Sequence, residues 1–358
     1  MLLVCEENRL DSRSTAEMTL EEMTRLKVTL GSSVTIKLYE RENRPKRGGI
    51  VFGFMPLLLL YILMECRKTT YRGVVRNLSD PDCECLGLPK DKSGRYRRPS
   101  AATLNNFANH VLAPVAEEIG NEISAVIPDL LEDPVVTIDS TPLHASRYNY
   151  DAEYNPHYEI RMDKAHIIMA DGYPLAMALS RGCANDGPFG IPLTETMCGI
   201  SPDIRLTEFH TDGQYDNFLM YAYIYEHTGA VMRCNQGTDA VYSGFTAEKV
   251  AEEYNALWEQ DGYDPYKRKD IGFMLRFLCC NGKEESVGMY IRDRSMDKDA
   301  AEGKTKARHV CETIHRGVKR WMAFDIFRIT KRTKAVRMKC RFLCLQLLAT
   351  LFKGYLGT

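Results

Sequence analysis

The chain has 358 residues, of which 44% are hydrophobic and 27% are charged, and its formal net charge is −1. This composition is that of an ordinary globular protein, and the length leaves room for two domains. The apolar run 52–66 is shorter than the ~20 residues that a transmembrane helix needs. Residues 1–20 contain no signal-peptide core. We therefore expect a cytoplasmic protein without a membrane segment.

The 12 cysteines are scattered along the chain. The close pairs, Cys83-x-Cys85 and Cys279-Cys280, do not have the spacing of a zinc site. Because no signal peptide accompanies them, we expect reduced thiols rather than disulfides.

Charge is unevenly distributed. Residues 304–341 contain 13 Lys and Arg side chains, seven of them Arg, but only two acidic residues, Glu312 and Asp325. Such a segment in a nearly neutral protein predicts a polyanionic partner, and the Arg content favours phosphate contacts. The alternative is a solvated helix or loop with surplus basic residues.

The first part of the chain predicts short helices joined by basic connections. One helix runs from Pro56 to about Arg67, and a second, capped by Thr69-Thr70, runs to about Leu78 and is ended by Asp80-Pro81-Asp82. Pro99-Ser100 opens a third helix after a basic loop. These helices fit a helix-turn-helix-like DNA-binding unit, but they would fit any small helical bundle as well. The predicted DNA contacts in the loop are Arg95, Arg97 and Arg98.

Strands replace helices beyond residue 126. The hydrophobic pattern predicts five of them, separated by helices at 192–198 and 217–227, and Asp171-Gly172 marks a hairpin turn. We therefore expect an α/β fold whose mixed five-stranded sheet is an antiparallel hairpin set extended by βαβ units. Residues 236–303 are predicted to be an insertion, with a helix at 246–258 and strands near 272–279 and 287–292. The five sheet strands are expected at 135–139, 164–171, 175–179, 204–209 and 230–234.

Two of the predicted strands lead into a carboxylate, at Asp139 and at Asp212. A single acidic residue at a strand end often caps a turn. Two of them at the same edge of a sheet would repel each other unless a cation lay between them. Oxygen ligands of this kind suit Mg²⁺. The pattern therefore leaves two interpretations open for each residue, turn cap or metal ligand.

A helix is predicted from Lys304 to Trp321. At about 100° per residue, one face of it carries Arg308, Glu312, His315 and Lys319, and the opposite face is apolar. A solvated helix face of mixed charge would show the same pattern, so the helix alone does not identify a site.

Three motifs, taken together, resemble the ribonuclease-H-like core of the DDE transposases. They are Ile138-Asp139-Ser140-Thr141, His210-Thr211-Asp212-Gly213 and Arg308-x₃-Glu312-x₆-Lys319. The last motif also resembles the Tyr-x₂-Arg-x₃-Glu-x₆-Lys signature of a large group of bacterial insertion-sequence transposases, although Thr305 stands at the Tyr position. The N-terminal helical segment shares the resemblance. The resemblance implies a DNA-binding helical domain at 1–125, a ribonuclease-H-like catalytic domain at 126–341 and a C-terminal apolar segment at 342–358.

The resemblance implies that Asp139, Asp212 and Glu312 are catalytic and hold two Mg²⁺ ions, about 3.5–4 Å apart, with Mn²⁺ as a substitute. The reaction would be metal-dependent DNA strand cleavage followed by strand transfer. The expected partners are the terminal inverted repeats and the target, both double-stranded DNA, bound by a dimer in the bacterial nucleoid. DNA contacts are expected at Arg308, Arg316, Lys319 and Arg320.

Two other functions fit the same residues. A catalytically silent protein could bind transposon ends without cutting, and a nuclease of the same fold could cut without strand transfer. A tyrosine recombinase is disfavoured because no His-x-x-Arg motif precedes a suitable tyrosine.

Several polar residues near the predicted strands have two interpretations each. His144 and His166 are expected to be ordinary core or surface histidines. Lys164 either faces the site or caps the sheet edge. Asn185-Asp186-Gly187 and Asn235 are interpreted first as turn residues.

Overall fold

Helices form the first part of the described chain, and a mixed sheet with its own helices follows. The structure, a computed structural model, describes residues 20–42, 52–127, 134–145, 152–202, 208–234, 240–261, 271–302, 326–327 and 331–352, with residues 131, 204 and 206. The chain divides into two units. Unit 1 comprises Met1–Leu130, Pro142–Asp163 and His315–Thr358, and unit 2 comprises Leu131–Thr141 and Lys164–Ile314.

Unit 1 is largely helical. Its N-terminal α-helices are Leu20–Leu30 (α1), Val34–Glu42 (α2), Phe54–Cys66 (α3), Tyr71–Arg76 (α4), Asp80–Cys85 (α5), Ala101–Phe107 (α6) and Ala113–Val126 (α7). A π-helical turn, Ala108–Leu112, joins α6 to α7.

Helix α3 forms the centre of unit 1. All its residues from Leu57 to Cys66 are buried, as expected for a helix that is apolar on every face. The long C-terminal helix Lys331–Phe352 (α13) packs on α7 and also contacts α1 and α3. The apolar end of the chain from Leu343 to Leu351 is therefore the buried part of a helix in unit 1.

The predicted N-terminal helices are confirmed with one correction. Thr70 caps α4 and Ser100 caps α6, as expected. The segment Asp80-Pro81-Asp82, however, begins a helix instead of ending one. Ser79 and Asp82 form a reciprocal capping box there, and Pro81 occupies the first turn, where its missing N–H costs nothing.

Unit 2 is built around the mixed sheet. The strands are Val135–Ala145 (β1), Glu153–Asn155 (β2), Ile160–Ala170 (β3), Tyr173–Arg181 (β4), Glu208–Thr211 (β5), Met232–Cys234 (β6) and Ile326–Phe327 (β7). The spatial order is β4-β3-β1-β5-β6, in which β1, β5 and β6 run parallel. The α/β class with a mixed sheet is therefore confirmed, and all five predicted strands are present. The short strands β2 and β7, which the sequence pattern does not predict, pair with β3 and β1 within unit 1.

The predicted hairpin between β3 and β4 is also present. Asp171 and Gly172 connect the two strands with positive φ angles of 45° and 78°, the conformation that a type I′ turn requires at both central positions. The Asp171 carboxylate also accepts a hydrogen bond of 3.0 Å from the backbone N–H of Val135. The end of β3 therefore lies beside the start of β1, and these two strands run in opposite directions.

The helices of unit 2 are Gly190–Ile200 (α8), Phe218–Thr228 (α9), Ala247–Asp261 (α10), Ile271–Cys280 (α11) and Glu284–Glu302 (α12). The predictions for α8, α9 and α10 are confirmed. The strands predicted near 272–279 and 287–292 are wrong, because both segments are helical. A short apolar run has the same composition in a strand and in a buried helix, and its periodicity does not separate the two.

Within the described residues, no helix combines the length and the apolar character needed to cross a membrane. The ten cysteines that the structure describes carry free thiols, as expected.

Candidate functional site

Asp139 and Asp212 lie at equivalent positions along the neighbouring parallel strands β1 and β5. Ile138 of β1 pairs with Thr211 of β5, and each aspartate is the next residue along the chain. Because β5 ends at Thr211, later than the expected end at Phe209, Asp212 follows its last residue directly. Both aspartates are half-buried. The structure thus brings these two predicted site residues side by side where β5 ends, although β1 continues beyond the expected end at Asp139 to Ala145.

Each of the two carboxylates accepts a hydrogen bond from a nearby backbone N–H. Oδ1 of Asp139 accepts from Ser140 N at 2.7 Å, and Oδ1 of Asp212 accepts from Gln214 N at 2.7 Å. Asp212 therefore caps the 3₁₀ turn Gly213–Tyr215. A carboxylate has about four lone-pair sites, so this capping bond is compatible with a further ligand.

A buried charge network lies on the strands just before these carboxylates. Thr137, His210 and Arg233 are aligned across β1, β5 and β6. The Glu208 carboxylate is 2.6 Å from His210 Nε2 and 3.4 Å from Arg233 Nη1. His210 lies on β5, two residues before Asp212. Glu208 balances the permanent charge of a guanidinium that is almost completely buried.

A residue of the predicted insertion 236–303 holds the turn that follows Asp212. Arg292 of α12 makes a bidentate ion pair with Asp216, with distances of 2.8 Å from Nε to Oδ1 and 2.9 Å from Nη2 to Oδ2. Cys234 donates through its thiol to the Asp212 carbonyl oxygen at 3.0 Å. Burial raises the pKa of Cys234 to about 12, so this thiol keeps its proton. Residues 236–303 thus contribute directly to the support of this strand end.

A second polar cluster lies next to Asp139. The hydroxyl of Ser140 donates to Asp186 Oδ2 at 2.7 Å, and Lys164 Nζ donates to Asp186 Oδ1 at 2.9 Å. Lys164 also donates to the carbonyl oxygen of Ala184 at 3.1 Å. Asp186 is 2% exposed and Lys164 is 8% exposed. Asp186 is therefore more than the turn residue that the sequence suggested, and Lys164 is a buried residue that binds the loop carrying Asp186.

His166 belongs to the same cluster. Its Nε2 is 2.7 Å from Ser180 Oγ, and its ring stacks on Phe189 with a centroid distance of 4.0 Å. Burial lowers the pKa of His166 to about 4; the Asp186 carboxylate raises it and the Lys164 ammonium lowers it further. His166 is therefore a neutral core histidine, in agreement with the expectation. The sequence signal for the cluster is the pair Lys164-x-His166 just before the apolar end of β3.

The predicted DNA contacts Arg95, Arg97 and Arg98 lie in unit 1. All three are exposed on the loop between α5 and α6. The loop is shaped by Asp91, whose Oδ1 accepts hydrogen bonds from the backbone N–H groups of Ser93 and Arg95. Arg98 is 3.4 Å from Asp80, an exposed ion pair that contributes little to stability. His144 is exposed as well.

The remaining predicted residues lie outside the described residues. These are the catalytic candidate Glu312, the DNA-binding candidates Arg308, Arg316, Lys319 and Arg320, and the turn candidate Asn235. In the part of the chain that the structure describes, no group of three His, Cys, Asp or Glu side chains is arranged to hold a metal ion. The described part of the candidate site thus consists of Asp139, Asp212 and their supporting contacts.

Comparisons with known proteins assign no family. A scan against protein-family models and a search of curated proteins found no match to this chain. A functional assignment therefore depends on the residues and their arrangement.

Proposed function

We propose that this protein is a DNA transposase of the DDE type, with a ribonuclease-H-like core, that cleaves and joins DNA strands at transposon ends. The observation that carries the proposal is the register of β1 and β5, which places Asp139 of β1 beside Asp212 at the carboxyl end of β5. Ligand and catalytic sites of open α/β sheets gather at such strand ends. The order β4-β3-β1-β5-β6 also agrees with the hairpin set and βαβ units that the sequence pattern predicts.

The residues present suit Mg²⁺, with Mn²⁺ as a substitute. Asp139 and Asp212 supply hard oxygen ligands, and the sequence supplies Glu312 as the third. Bound Mg²⁺ would activate the attacking water or DNA 3′-hydroxyl and stabilise the leaving oxygen. The Glu208–His210–Arg233 network joins β5 to β6, and the Asp216–Arg292 pair holds the turn behind Asp212. The chain thereby keeps the carboxylates in place before DNA arrives.

DNA is the proposed substrate because two segments of the chain are rich in basic residues. Arg95, Arg97 and Arg98 project from unit 1. Arg308, Arg316, Lys319 and Arg320 belong to the basic segment that contains Glu312. Such residues contact phosphates and set affinity, while the carboxylates would carry out the chemistry. Two DNA ends must meet in transposition, so the active form would be a dimer on DNA.

The proposal is tested with a supercoiled plasmid that carries the coding sequence and its flanking DNA, and with a second plasmid that lacks the flanks. The wild type is expected to nick the first plasmid in the presence of Mg²⁺ and to join its ends to target DNA. Asp139→Asn, Asp212→Asn and Glu312→Gln should each abolish nicking and leave DNA binding intact.

Other results would point elsewhere. Equal cleavage of both plasmids without joining would indicate a nuclease of the same fold. Specific binding to the flanks without cleavage by the wild type would indicate a silent end-binding protein. A variant that cuts at the wild-type rate would remove its residue from the site.

A further inference from the structure

The buried pair Lys164–Asp186 is coupled to the candidate catalytic residue Asp139 through Ser140. We propose that Asp186 is a positioning residue, which fixes the orientation of the Asp139 carboxylate by holding the Ser140 side chain. This inference rests on the proposed function, since it assigns Asp139 a role as metal ligand. Asp186 and Ser140 are not among the residues proposed to hold the metal.

Ser140 is held at two points. Its hydroxyl donates to Asp186 Oδ2 at 2.7 Å, and its backbone N–H donates to Asp139 Oδ1 at 2.7 Å. A rotation of the backbone at Ser140 would break both hydrogen bonds together. The position of one oxygen of Asp139 is therefore tied to the position of Asp186.

Asp186 is itself held firmly. Its other oxygen accepts from Lys164 Nζ, which also donates to the carbonyl oxygen of Ala184 in the same loop. Lys164 lies on β3, next to β1 in the sheet, so the cluster is anchored to the strand beside Asp139. The loop that carries Asp186 is thereby fastened to two neighbouring strands.

The burial of Lys164 and Asp186 indicates that Asp186 does more than form a turn. Asp186 and Lys164 are 2% and 8% exposed, and removing two charges from water is unfavourable unless each finds a close partner. An exposed Asn-Asp-Gly turn needs no such pair. The lysine neutralises Asp186, so this carboxylate can accept from Ser140 without adding net negative charge beside Asp139.

Contacts of this kind have known consequences at metal sites. Groups that orient a ligand through hydrogen bonds typically change metal affinity or activity by roughly 10–100-fold when they are removed. Loss of the Ser140 hydroxyl should therefore weaken the metal response far more than it weakens the fold.

The test compares Ser140→Ala with Ser140→Thr and with Ser180→Ala. Ser180→Ala removes a serine hydroxyl that contacts His166 Nε2, on the side of the ring away from Asp186, and serves as the matched control. Three quantities are measured for each protein: the Mg²⁺ concentration for half-maximal plasmid nicking, Mn²⁺ binding without DNA by electron paramagnetic resonance, and the thermal midpoint.

We expect Ser140→Ala to raise the Mg²⁺ requirement and weaken Mn²⁺ binding by roughly 10-fold or more, while its thermal midpoint falls no further than that of Ser180→Ala. Ser140→Thr keeps the hydroxyl and should restore the Mg²⁺ response. If Ser140→Ala matches Ser180→Ala in all three measurements, the positioning role is overturned and the proposed function stands. If the wild type neither nicks DNA nor binds Mn²⁺, the proposed function fails and this inference fails with it.

Discussion

Ile138 and Thr211 are paired across the parallel strands β1 and β5, and this register places Asp139 beside Asp212. A shift of one residue would turn one of the aspartates to the opposite face of the sheet. In the observed register their like charges lie on neighbouring strands, where a divalent cation between them would relieve the repulsion.

Metal binding at this strand end should stabilise the fold. A ligand that binds only the folded state adds RT ln(1 + [L]/Kd), about 1.4 kcal/mol at ten times Kd. Saturating MgCl₂ should therefore raise the thermal midpoint of the wild type, and Asp139→Asn and Asp212→Asn should lose most of that rise. Glu259→Gln, which makes the same charge change on the exposed surface of α10, should keep it. An equal rise in all four proteins would indicate a general salt effect instead.

The buried ion pair between Arg341 and Glu65 is expected to be essential in unit 1. It joins α13 to α3 at 3.2 Å, with both residues buried. Arg341→Met removes the hydrogen-bonded cation from a buried carboxylate and should lower the free energy of unfolding by about 3–5 kcal/mol, measured in urea. Replacing both residues, Glu65→Leu with Arg341→Met, should recover most of that loss.

The same helix provides the control for the ion pair. Lys339 pairs with Glu117 at 2.7 Å, but both side chains are more than half exposed. Lys339→Met should therefore cost no more than about 1 kcal/mol. Similar costs for Lys339→Met and Arg341→Met would show that burial of the pair has no special weight.

His166 should make the protein acid-sensitive. Its pKa is lowered from 6.5 to about 4 in the folded state, chiefly by burial. Between these values the unfolded chain binds a proton that the folded protein does not, so stability is complete above about pH 6.5 and is lost as the pH falls toward 4. The loss due to this residue should be on the order of 3 kcal/mol.

The measurement is urea unfolding at several pH values for the wild type and His166→Gln. The variant lacks the imidazole ring that contacts Ser180 and Phe189 and should be less stable at pH 7. Its stability should nevertheless fall less steeply between pH 6.5 and 4 than that of the wild type. Parallel curves would assign the acid sensitivity to other groups.

Gly288 and Gly199 should respond in opposite ways to alanine. A Cβ on Gly288 of α12 would overlap the backbone carbonyl oxygen of Phe218 at the start of α9, where no side chain can move aside. Gly288→Ala should therefore cost about 1–3 kcal/mol or more. Gly199, in α8, has nothing within 4 Å of such a Cβ. Gly199→Ala should instead stabilise the protein by about 0.5–1 kcal/mol. Thermal unfolding measures both, and a tolerated Gly288→Ala would contradict the close helix contact.

The exposed arginines of unit 1 should contribute to DNA affinity mainly through phosphates. Removing one arginine that neutralises a phosphate should reduce the slope of log affinity against log salt by about 0.9. Arg95→Ala and Arg97→Ala should each flatten the slope by about this amount, measured by fluorescence anisotropy with duplex DNA. Arg25→Ala removes an exposed arginine from α1, where it pairs with Glu21 at 2.8 Å, and should leave the slope unchanged. If Arg25→Ala had the same effect as the loop variants, the loop would have no particular role.

Local patterns in the sequence predicted most of the elements. Helix caps at Thr70 and Ser100, the Asp171-Gly172 turn and the strand leading into Asp139 all depend on residues within a few positions of each other. These preferences act over one turn of chain, so they are visible without tertiary structure. The sequence pattern predicts strands within α11 and α12 because apolar runs of this length fit either element.

The alternation of helices and strands, and the carboxylates Asp139 and Asp212 that follow apolar strand residues, are therefore visible in the sequence. The pairing of β1 with β5 that sets Asp139 beside Asp212, the contact of Asp186 with Ser140 and the contact of Arg341 with Glu65 depend on the folded chain. These contacts join residues far apart in the chain. They arise when burial of apolar surface forces polar groups to find partners inside the fold, and no local pattern specifies which partner each group finds.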